Sequence, residues 1–256
     1  MEVVITPDAA SLAADAIEAL VNGNHAAVLG LATGSSPLPA YQELIRRHRA
    51  GTGPSYAGVR CFLLDEYVGL PPGHPETYRE TIFRELTDAL GIAREQVAGP
   101  DAADPRHAGA RYEEAIRAAG GIDLQVLGIG SDGHLAFNEP GSSLASATRI
   151  KTLTDRTRSD NARFFGSVDA VPRHVLTQGL GTILRAGHLM LLASGERKAA
   201  AVAAAVEGPL SASCPASVLQ LHPHATVLLD DAAASGLSRA AYYREVYAAK
   251  PAWQGL

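Results

Sequence analysis

The 256-residue chain contains few cysteines. Only Cys61 and Cys214 are present, and they do not stand at a paired spacing. Two isolated cysteines are too few for a disulfide scaffold and do not form the paired motifs of structural zinc sites. We therefore expect a protein of a reducing compartment, the cytoplasm.

The chain also lacks the features of targeting and membrane segments. Its first residues, MEVVITPDAASLAAD, contain early acids and no basic region followed by an apolar one, so we expect no signal peptide. No apolar run approaches the roughly 20 residues that a membrane-spanning helix needs. We expect no membrane association.

An excess of basic residues is missing as well. Lysine and arginine number 22 against 27 aspartates and glutamates, which gives a formal net charge of −5. Nucleic-acid-binding domains carry a basic footprint, so no nucleic-acid partner is expected. An anionic ligand would have to be held by local donors. Apolar residues at 46% and charged residues at 19% are typical of a folded globular chain.

What the sequence does contain is a regular alternation of apolar runs and helical patterns. Runs of strand length lie at 26–32, 59–64, 123–129, 188–194 and 225–230. Helical patterns lie between Pro7 and Gly23 and at 37–48, 78–90, 109–120 and 196–208. Strands that are apolar on both faces and alternate with helices predict a parallel sheet covered on both sides.

The predicted fold class is α/β, a single-domain open and mostly parallel sheet with helices on both faces. No long linker or repeat divides residues 1–256. The least regular segment is polar and basic and runs from 142 to 174. We expect its part around 153–174 to fold over the sheet as a lid.

Polar residues follow four of the predicted strands. The segments are TGSSP (33–37), DEY (65–67), GSDGH (130–134) and GERK (195–198). The carboxyl ends of parallel strands share one edge of a sheet, where open α/β folds bind their ligands. We therefore expect these four segments to meet in one ligand site.

The segment TGSSP has the properties of an anion-binding loop. A strand leads into small residues and then into a helix start, where unpaired amides and the helix dipole favour negative charge. Gly34 allows close approach of the backbone, and Thr33, Ser35 and Ser36 add hydroxyl donors. The alternative interpretation is an ordinary helix-capping turn. The Gly-Lys-Ser/Thr ending of a Walker loop is missing.

The segment GIGSDGHLAFNEP places Asp132, His134 and Glu139 within a few residues of one another. It matches G-x-G-x-x-G literally, but the dinucleotide fingerprint should open a helix. The residues that follow contain Pro140 and Gly141 and no helical stripe. The glycines are better explained by a tight turn that presents Asp132 and His134, and an imidazole suits general acid/base catalysis near neutral pH.

Other charged residues are weaker signals. Asp65 and Glu66 follow the second apolar run, and strand alternation allows only one of two adjacent side chains to face a pocket. Arg163 and Lys198 could pair with a phosphate, although most such charges face water. The histidine pair in LHPH lacks acid or cysteine partners, so no metal site is expected.

Taken together, these residues resemble the glucosamine-6-phosphate deaminase family. The similar segments are LATGSSP, LDEYVGLPPGHPETY, GIGSDGHLAFNEPGSSLASATRIKTLT, TRSDNARFF, AAVEG and LQLHP, and they extend over nearly the whole chain. The resemblance implies a cytoplasmic enzyme of amino-sugar catabolism that isomerises and deaminates glucosamine 6-phosphate to fructose 6-phosphate and ammonia. It implies a deaminating isomerase placed in the hydrolase class, without a cofactor.

The resemblance also implies roles for individual residues. Asp65 would be the base that moves a proton between C2 and C1, and His134 would open the sugar ring. Asp132 and Glu139 would orient His134 and tune its pKa. The phosphate would bind to a set of small residues and two cations, namely Thr33, Gly34, Ser35, Ser36, Arg163 and Lys198.

Some members of this family are hexamers activated by N-acetylglucosamine 6-phosphate, bound where subunits meet. The residues of this chain that match the activator loop are Ser142, Arg149, Lys151 and Thr152. The resemblance therefore implies a homo-oligomer and an allosteric activator as hypotheses.

Three alternatives stay open from the sequence. A 6-phosphogluconolactonase shares the fold and the Gly-x-Gly-x-Asp-Gly-His turn, but the segments LAFNEP and DEYVG resemble the deaminases. A sugar-phosphate sensor of a transcription regulator would carry a helix-turn-helix segment, whereas only one helix precedes the first predicted strand near residue 26. Galactosamine 6-phosphate is a close rival substrate.

Overall fold

The larger sheet has seven strands that all run parallel. The computed structural model describes residues 1–251 and 253–256, together with all side chains there except those of Arg156 and Asp160. The strands are β1 (Glu2–Ile5), β2 (Val28–Leu31), β3 (Arg60–Leu63), β5 (Val97–Ala98), β6 (Leu124–Leu127), β9 (His188–Ala193) and β10 (Ala225–Leu229). Their order in the sheet is β1-β10-β9-β6-β2-β3-β5, and every pairing is parallel. The predicted mostly parallel sheet is confirmed.

The first strand begins earlier than the sequence pattern predicted. β1 starts at Glu2 and pairs with β10 at one edge of the sheet, with Glu2 opposite Thr226. The prediction of a first strand near residue 26 was wrong. A four-residue run with a charged first residue gives too little periodicity to be identified alone.

Helices cover both faces of this sheet. They are α1 (Ala9–Gly23), α2 (Leu38–Arg49), α3 (Tyr78–Ile82), α4 (Asp88–Leu90), α5 (Pro105–Ala118), α6 (Asp155–Phe165), α7 (Leu180–Ile183), α8 (Ala199–Val206) and α9 (Ala240–Ala248). Successive strand residues point to opposite faces, so Val227 packs in one core with α8, and Leu228 in the other with α1.

Several predicted helices differ in detail from the structure. α5 begins at Pro105 instead of residue 109. The pattern at 78–90 is not one α-helix, because a π-helical turn, Phe83–Thr87, separates α3 from α4. A short 3-10 turn, Glu196–Lys198, precedes α8. The π-helical turn matters for function because such turns often stand at functional sites.

A second, three-stranded antiparallel sheet was not predicted. It has the order β4-β8-β7 and consists of β4 (Asp65–Val68), β8 (His174–Thr177) and β7 (Arg149–Thr152). Its strands are short, and β7 alternates half-buried with exposed residues, so it lacks the apolar runs that revealed the larger sheet. β4 follows β3 after a single residue, Leu64, which places the small sheet at the carboxyl edge of the large one.

The segment expected to form a lid contains α6 and joins β7 to β8. Its inner side packs on the small sheet through Leu153, Val171 and Phe165, which contact Tyr67 and its neighbours. Arg158 is buried and donates to the carbonyl oxygens of Val168 and Val171. The loop after α6 is therefore fastened to the helix itself. Across residues 1–251 and 253–256, no helix combines the length and the apolarity needed to cross a bilayer.

One glycine marks how closely α5 packs on the small sheet. A Cβ at Gly109 would lie 2.3 Å from the carbonyl oxygen of Thr148, just before β7. We expect Gly109→Ala to lower the free energy of unfolding by about 1–3 kcal/mol through overpacking, although alanine favours helices. Gly23→Ala, at a helix end with no atom within 4 Å of the new Cβ, should change stability little or raise it by about 0.4–1 kcal/mol. Urea unfolding of both variants measures the difference, and a Gly109→Ala protein as stable as the wild type would contradict the close contact.

Candidate active site

All four polar strand-end segments line one cleft of about 650 Å³ at the carboxyl edge of the large sheet. Thr33–Ser36 follow β2, Asp65 follows β3, Gly128–His134 follow β6 and Lys198 follows β9. Helix α6, in the segment predicted to form a lid, contributes Arg163 to the lining. The structure thus brings together the sequence-predicted residues of the acid/base set and of the anion-binding loop.

The loop after β2 presents backbone amides to the cleft. Gly34 has a φ of +98°, a conformation that glycine adopts without strain. α2 starts after Pro37 with no side-chain cap on its first turn, so its amides are free for an anion. Ser36 lies close to Gly128 of the neighbouring strand end, where an added Cβ would be 3.4 Å from that of Ser36.

Two cations line the same cleft as this loop. The ammonium of Lys198 donates to the carbonyl oxygen of Ile129 at 2.6 Å. Burial lowers the pKa of Lys198, as does the charge of Arg197, while Asp132 opposes the shift. The guanidinium of Arg163 lies 4.7 Å from the ring centre of Phe164, and both side chains line the cleft. The cleft therefore receives positive charge from the sheet edge, through Lys198, and from α6, through Arg163.

The glycines of the turn at 130–134 shape it in two ways. The amide of Gly130 donates to the carbonyl of His134, and that of Gly133 to the carbonyl of Gly130, both at 3.0 Å. A Cβ at Gly130 would lie 2.2 Å from the imidazole of His134, and Gly133 has a φ of +83°. No helix begins in the described segment after this turn before α6. The glycines therefore serve the placement of His134 and do not form a dinucleotide fingerprint.

Asp132 and His134 form a directly bonded pair. The Nδ1 of His134 lies 2.6 Å from Oδ1 of Asp132, and the same oxygen accepts from the His134 amide at 3.2 Å. Burial acts to raise the pKa of Asp132, but the charge and hydrogen bonds of His134 outweigh it, so the pKa is lowered overall. An ionised Asp132 fixes the ring so that Nε2 is free for the cleft.

Glu139 lines the same cleft but bonds elsewhere. Its Oε1 accepts from the hydroxyl of Thr157 on α6 at 2.6 Å. Among the described residues, no hydrogen bond joins Glu139 to His134, in contrast to the expected orienting contact. Glu139 therefore connects the segment after the His134 turn to α6.

Asp65 and Glu66 divide into one cleft residue and one structural residue. Only 7% of Asp65 is exposed, and it lines the cleft. Burial raises its pKa well above the usual range, and the charge of Glu66 adds to this effect. Glu66 points the other way and accepts from the amides of Tyr78 and Arg79 at 3.0 and 3.1 Å. It therefore caps α3, and Asp65 is the carboxylate available for chemistry.

The sequence did not reveal the aromatic wall of the cleft. It consists of Tyr67, Tyr78, Phe137, Phe164 and Phe165. Tyr67 and Tyr78 stack with ring centres 4.8 Å apart, and their hydroxyls lie 3.1 Å apart. Arg84, Glu85 and Glu76 also line the cleft, the first two from the π-helical turn. These residues come from three separate segments, so no local motif could have grouped them.

The four residues expected at an activator site lie outside the lining of this cleft. Ser142 is buried, and its hydroxyl has no hydrogen-bond partner among the described residues. Arg149 and Lys151 are half-buried, whereas Thr152 is exposed, so alternation along β7 puts the two cations on one face and Thr152 on the other. Burial lowers the pKa of Arg149.

Comparison with known proteins gives full-length relatives. The chain is 62% identical over 261 residues to a glucosamine-6-phosphate deaminase of Arthrobacter sp. (strain FB24), with 100% of both chains covered. It is also 62% identical over 262 residues to a glucosamine-6-phosphate deaminase of Mycolicibacterium smegmatis, again with 100% of both chains covered.

Solved structures give the same grouping. A monomeric glucosamine-6-phosphate deaminase of the NagB superfamily superposes with a TM-score of 0.88 at 38% identity, covering 92% of this chain and 100% of that one. A 6-phosphogluconolactonase from Trypanosoma cruzi shares the fold with a TM-score of 0.74 at 20% identity, covering 93% and 97% of the two chains. The family model described as glucosamine-6-phosphate isomerases/6-phosphogluconolactonase matches residues 2–228. With this match and the full-length relatives, the chain belongs to the family of glucosamine-6-phosphate isomerases and 6-phosphogluconolactonases.

Proposed function

We propose that this protein converts glucosamine 6-phosphate to fructose 6-phosphate and ammonia in amino-sugar catabolism. The observation that carries the proposal is the cleft itself. It joins an anion-binding helix start, a buried carboxylate and an aspartate-histidine pair at one sheet edge. Relatives named glucosamine-6-phosphate deaminase, about 60% identical over the full chain, support the substrate.

The reaction consumes one water. Glucosamine 6-phosphate and water together contain the atoms of fructose 6-phosphate and ammonia, so an internal isomerisation is coupled to hydrolytic loss of the amine. The family model supports the isomerase part. The assignment to the hydrolase class rests on this atom balance and is part of the proposal.

Phosphate binding would fix one end of the substrate. The loop Thr33–Ser36 offers amides and hydroxyls, and Lys198 and Arg163 supply positive charge on two sides. A phosphate dianion gains most from such convergent donors in a partly buried site. The sugar carbons would then extend along the aromatic wall toward Asp65 and His134.

Ring opening would be the task of His134. It moves a proton from the O1 hydroxyl to O5, which needs a group that both accepts and donates near neutral pH. Asp132, bonded to Nδ1, leaves Nε2 as the working nitrogen. Glu139 would complete the acid/base set from the side of the lid, where it is bonded to Thr157.

Proton transfer between C2 and C1 would be the task of Asp65. The C2 proton of the open-chain aldehyde is removed and delivered to C1, and one proton of the C2 ammonium group passes to O1. The result is a C2 iminium with a hydroxymethyl group at C1, to which water adds before ammonia departs. A carboxylate whose pKa is raised by burial is a stronger base than an exposed one and is better matched to this step. Asp65 and His134 thus act on different bonds in sequence.

Two alternatives differ in what they require of the cleft. Lactone hydrolysis, the activity of the 6-phosphogluconolactonases that share the fold, needs no base for a proton bound to carbon. The buried Asp65 therefore favours the deaminase. Galactosamine 6-phosphate differs from the proposed substrate in one hydroxyl configuration and is the second substrate to compare.

Regulation and assembly form a further part of the proposal. The half-buried cations Arg149 and Lys151 support a site for N-acetylglucosamine 6-phosphate in a homo-oligomer, with Thr152 on the opposite face. The hydroxyl of Ser142, which has no hydrogen-bond partner within the described part of the chain, supports it as well. A hexamer is one such assembly, and the 38% identical structural relative is a monomer. The two unpaired cysteines support action in the cytoplasm.

Release of the two products tests the proposed reaction directly. Purified protein with glucosamine 6-phosphate and EDTA, and with no added cofactor, should release ammonia and fructose 6-phosphate in equal amounts. Galactosamine 6-phosphate and 6-phosphogluconolactone serve as comparison substrates. Faster turnover of either comparison substrate would transfer the assignment to that activity.

Added N-acetylglucosamine 6-phosphate should raise the activity at low substrate concentration. Hyperbolic kinetics that do not change when it is added would contradict the activator hypothesis.

The second prediction concerns Asp65. Asp65→Asn should lower kcat by about 10²- to 10⁴-fold, the usual contribution of a general base. It should also abolish the exchange of solvent deuterium into C2. Inhibition by inorganic phosphate should not change, because the phosphate loop is intact. Wild-type exchange at C2 in this variant would mean that another group is the base.

The same variant should be more stable than the wild type at neutral pH. Burial raises the pKa of Asp65 in the folded protein, so unfolding releases its proton and becomes easier as pH rises above the unfolded value near 4. Asparagine does not titrate, so the variant does not lose stability in this way as pH rises. The Tm difference between variant and wild type should therefore be largest at neutral pH and vanish below about pH 4. A constant difference from pH 3 to 8 would contradict the raised pKa.

A substitution of His134 tests its role in ring opening. His134→Gln should slow ring opening by about 10²- to 10⁴-fold and make it rate-limiting. Substrate deuterated at C2 should then react as fast as ordinary substrate. An isotope effect larger than that of the wild type would instead place His134 in the C2 proton transfer.

A further inference from the structure

The chain changes sheets immediately before Asp65. Leu63 is the last residue of β3, and its carbonyl accepts from the hydroxyl of Tyr112 at 2.7 Å and from Nε2 of Gln178 at 3.1 Å. The carbonyl of Leu64 accepts from the amide of Gln178 at 2.7 Å. Gln178 therefore fixes the two peptide groups that aim Asp65 into the cleft.

The segment between His134 and Glu139 contains a strained residue. Ala136 has a φ of +50°, the only positive φ at a non-glycine position in the described part of the chain. A side-chain-bearing residue keeps this conformation only where its surroundings impose it. Here the amide of Phe137 donates to Oγ1 of Thr177 at 3.2 Å, which holds the turn from the end of β8.

Asn138 connects these two regions. Its Nδ2 donates to the carbonyl of Gln178 at 2.8 Å and to the carbonyl of Leu135 at 3.0 Å. Asn138, Thr177 and Gln178 are completely buried, so water does not compete for these bonds. Gln178 is thus bonded both to the peptides before Asp65 and to the loop that carries His134 and Glu139.

The network is retained at a cost in stability. The side-chain oxygens of Asn138 and Gln178 are buried, and neither has a hydrogen-bond partner within the part of the chain that the structure describes. A buried polar atom without a partner opposes folding. Apolar side chains would fill the same volume without this cost, which indicates that the donors of these amides serve a specific geometry.

We infer that Gln178, Asn138 and Thr177 form a positioning brace that fixes Asp65 relative to His134 and Glu139. The brace is the set of bonds from the Gln178 side chain and backbone to Leu63, Leu64 and Asn138, and from Thr177 to Phe137. None of its three members belongs to the lining of the cleft. Their effect on the reaction is therefore indirect, and this effect rests on the proposed function.

The proposed reaction makes such a brace necessary. The base must reach C2 and C1 while the histidine reaches O1 and O5 of the same bound molecule, although Asp65 stands on β4 and His134 in the turn after β6. A misplacement of about 1 Å costs a reaction on the order of 10²-fold in rate. Substrate binding at the phosphate loop does not depend on this spacing.

The test uses Asn138→Ala and Gln178→Leu in the full-length protein. Each should lower kcat by about 10- to 100-fold, with KM and phosphate inhibition unchanged. Hydrogen-deuterium exchange without substrate should become faster in residues 60–68 and in residues 132–141 for both variants, because each mutation removes one bond of the series that runs from Leu63 through Gln178 to Asn138. The double variant should lose about as much kcat as the more damaged single variant.

Gln125→Leu is the matched control. Gln125 is also completely buried, donates one side-chain bond to a carbonyl, that of Val126 at 2.9 Å, and has an unpartnered Oε1. Its replacement should affect stability but leave kcat and the exchange of residues 132–141 unchanged. Thr177→Val, a nearly isosteric change that removes the acceptor for Phe137, repeats the test if Asn138→Ala does not fold.

Two results would overturn the brace. One is a kcat in the brace variants equal to that of the Gln125→Leu control. The other is faster exchange confined to the segment that contains the mutated residue. A wild-type protein that does not turn over glucosamine 6-phosphate, while both segments still loosen together in the variants, would support the brace and refute the proposed reaction.

Discussion

Parallel pairing of the seven strands is the constraint on which the rest of the structure depends. Because every strand points the same way, all carboxyl ends meet at one edge, and residues distant in sequence become neighbours there. The anion-binding loop, the aspartate-histidine turn and Lys198 each follow a different strand. Burial of the strands on both faces fixes their spacing, so the edge is a rigid base for polar groups that would cost free energy elsewhere in a core.

The small antiparallel sheet adds what the parallel sheet does not supply. An open edge exposes its ligand to water, and an exposed carboxylate is a weak base. β4 turns away from β3 after Leu64, pairs with β8 and carries Asp65 under the cover of α6 and its aromatic neighbours. The raised pKa of Asp65 therefore depends on a change of sheet at one residue. Because adjacent strand residues point to opposite sides, Glu66 faces the start of α3 and caps it.

The sequence predicted the parts whose physics is local. Apolar runs identified the central strands, and TGSSP and GSDGH at their ends identified the residues that meet in the cleft. It missed β1, β4, β5, β7 and β8, which are short or alternate in burial and gain their stability from partners far along the chain. The bond between Glu139 and Thr157 and the aromatic wall also depend on tertiary contacts, as does the network around Gln178. The roles of Asp65 and His134 came from family resemblance, because residue types and spacing alone also allowed a purely structural role for each of them.

The hydrogen bond between Glu139 and Thr157 links helix α6, which covers part of the cleft, to one of the carboxylates of the cleft. Thr157 stands on α6, so any displacement of this helix away from the cleft would also break a bond to a carboxylate that lines it. Access to the cleft and the hydrogen bonding of Glu139 would therefore change together. Such a displacement would leave the Oε1 of Glu139 without the donor that Thr157 provides.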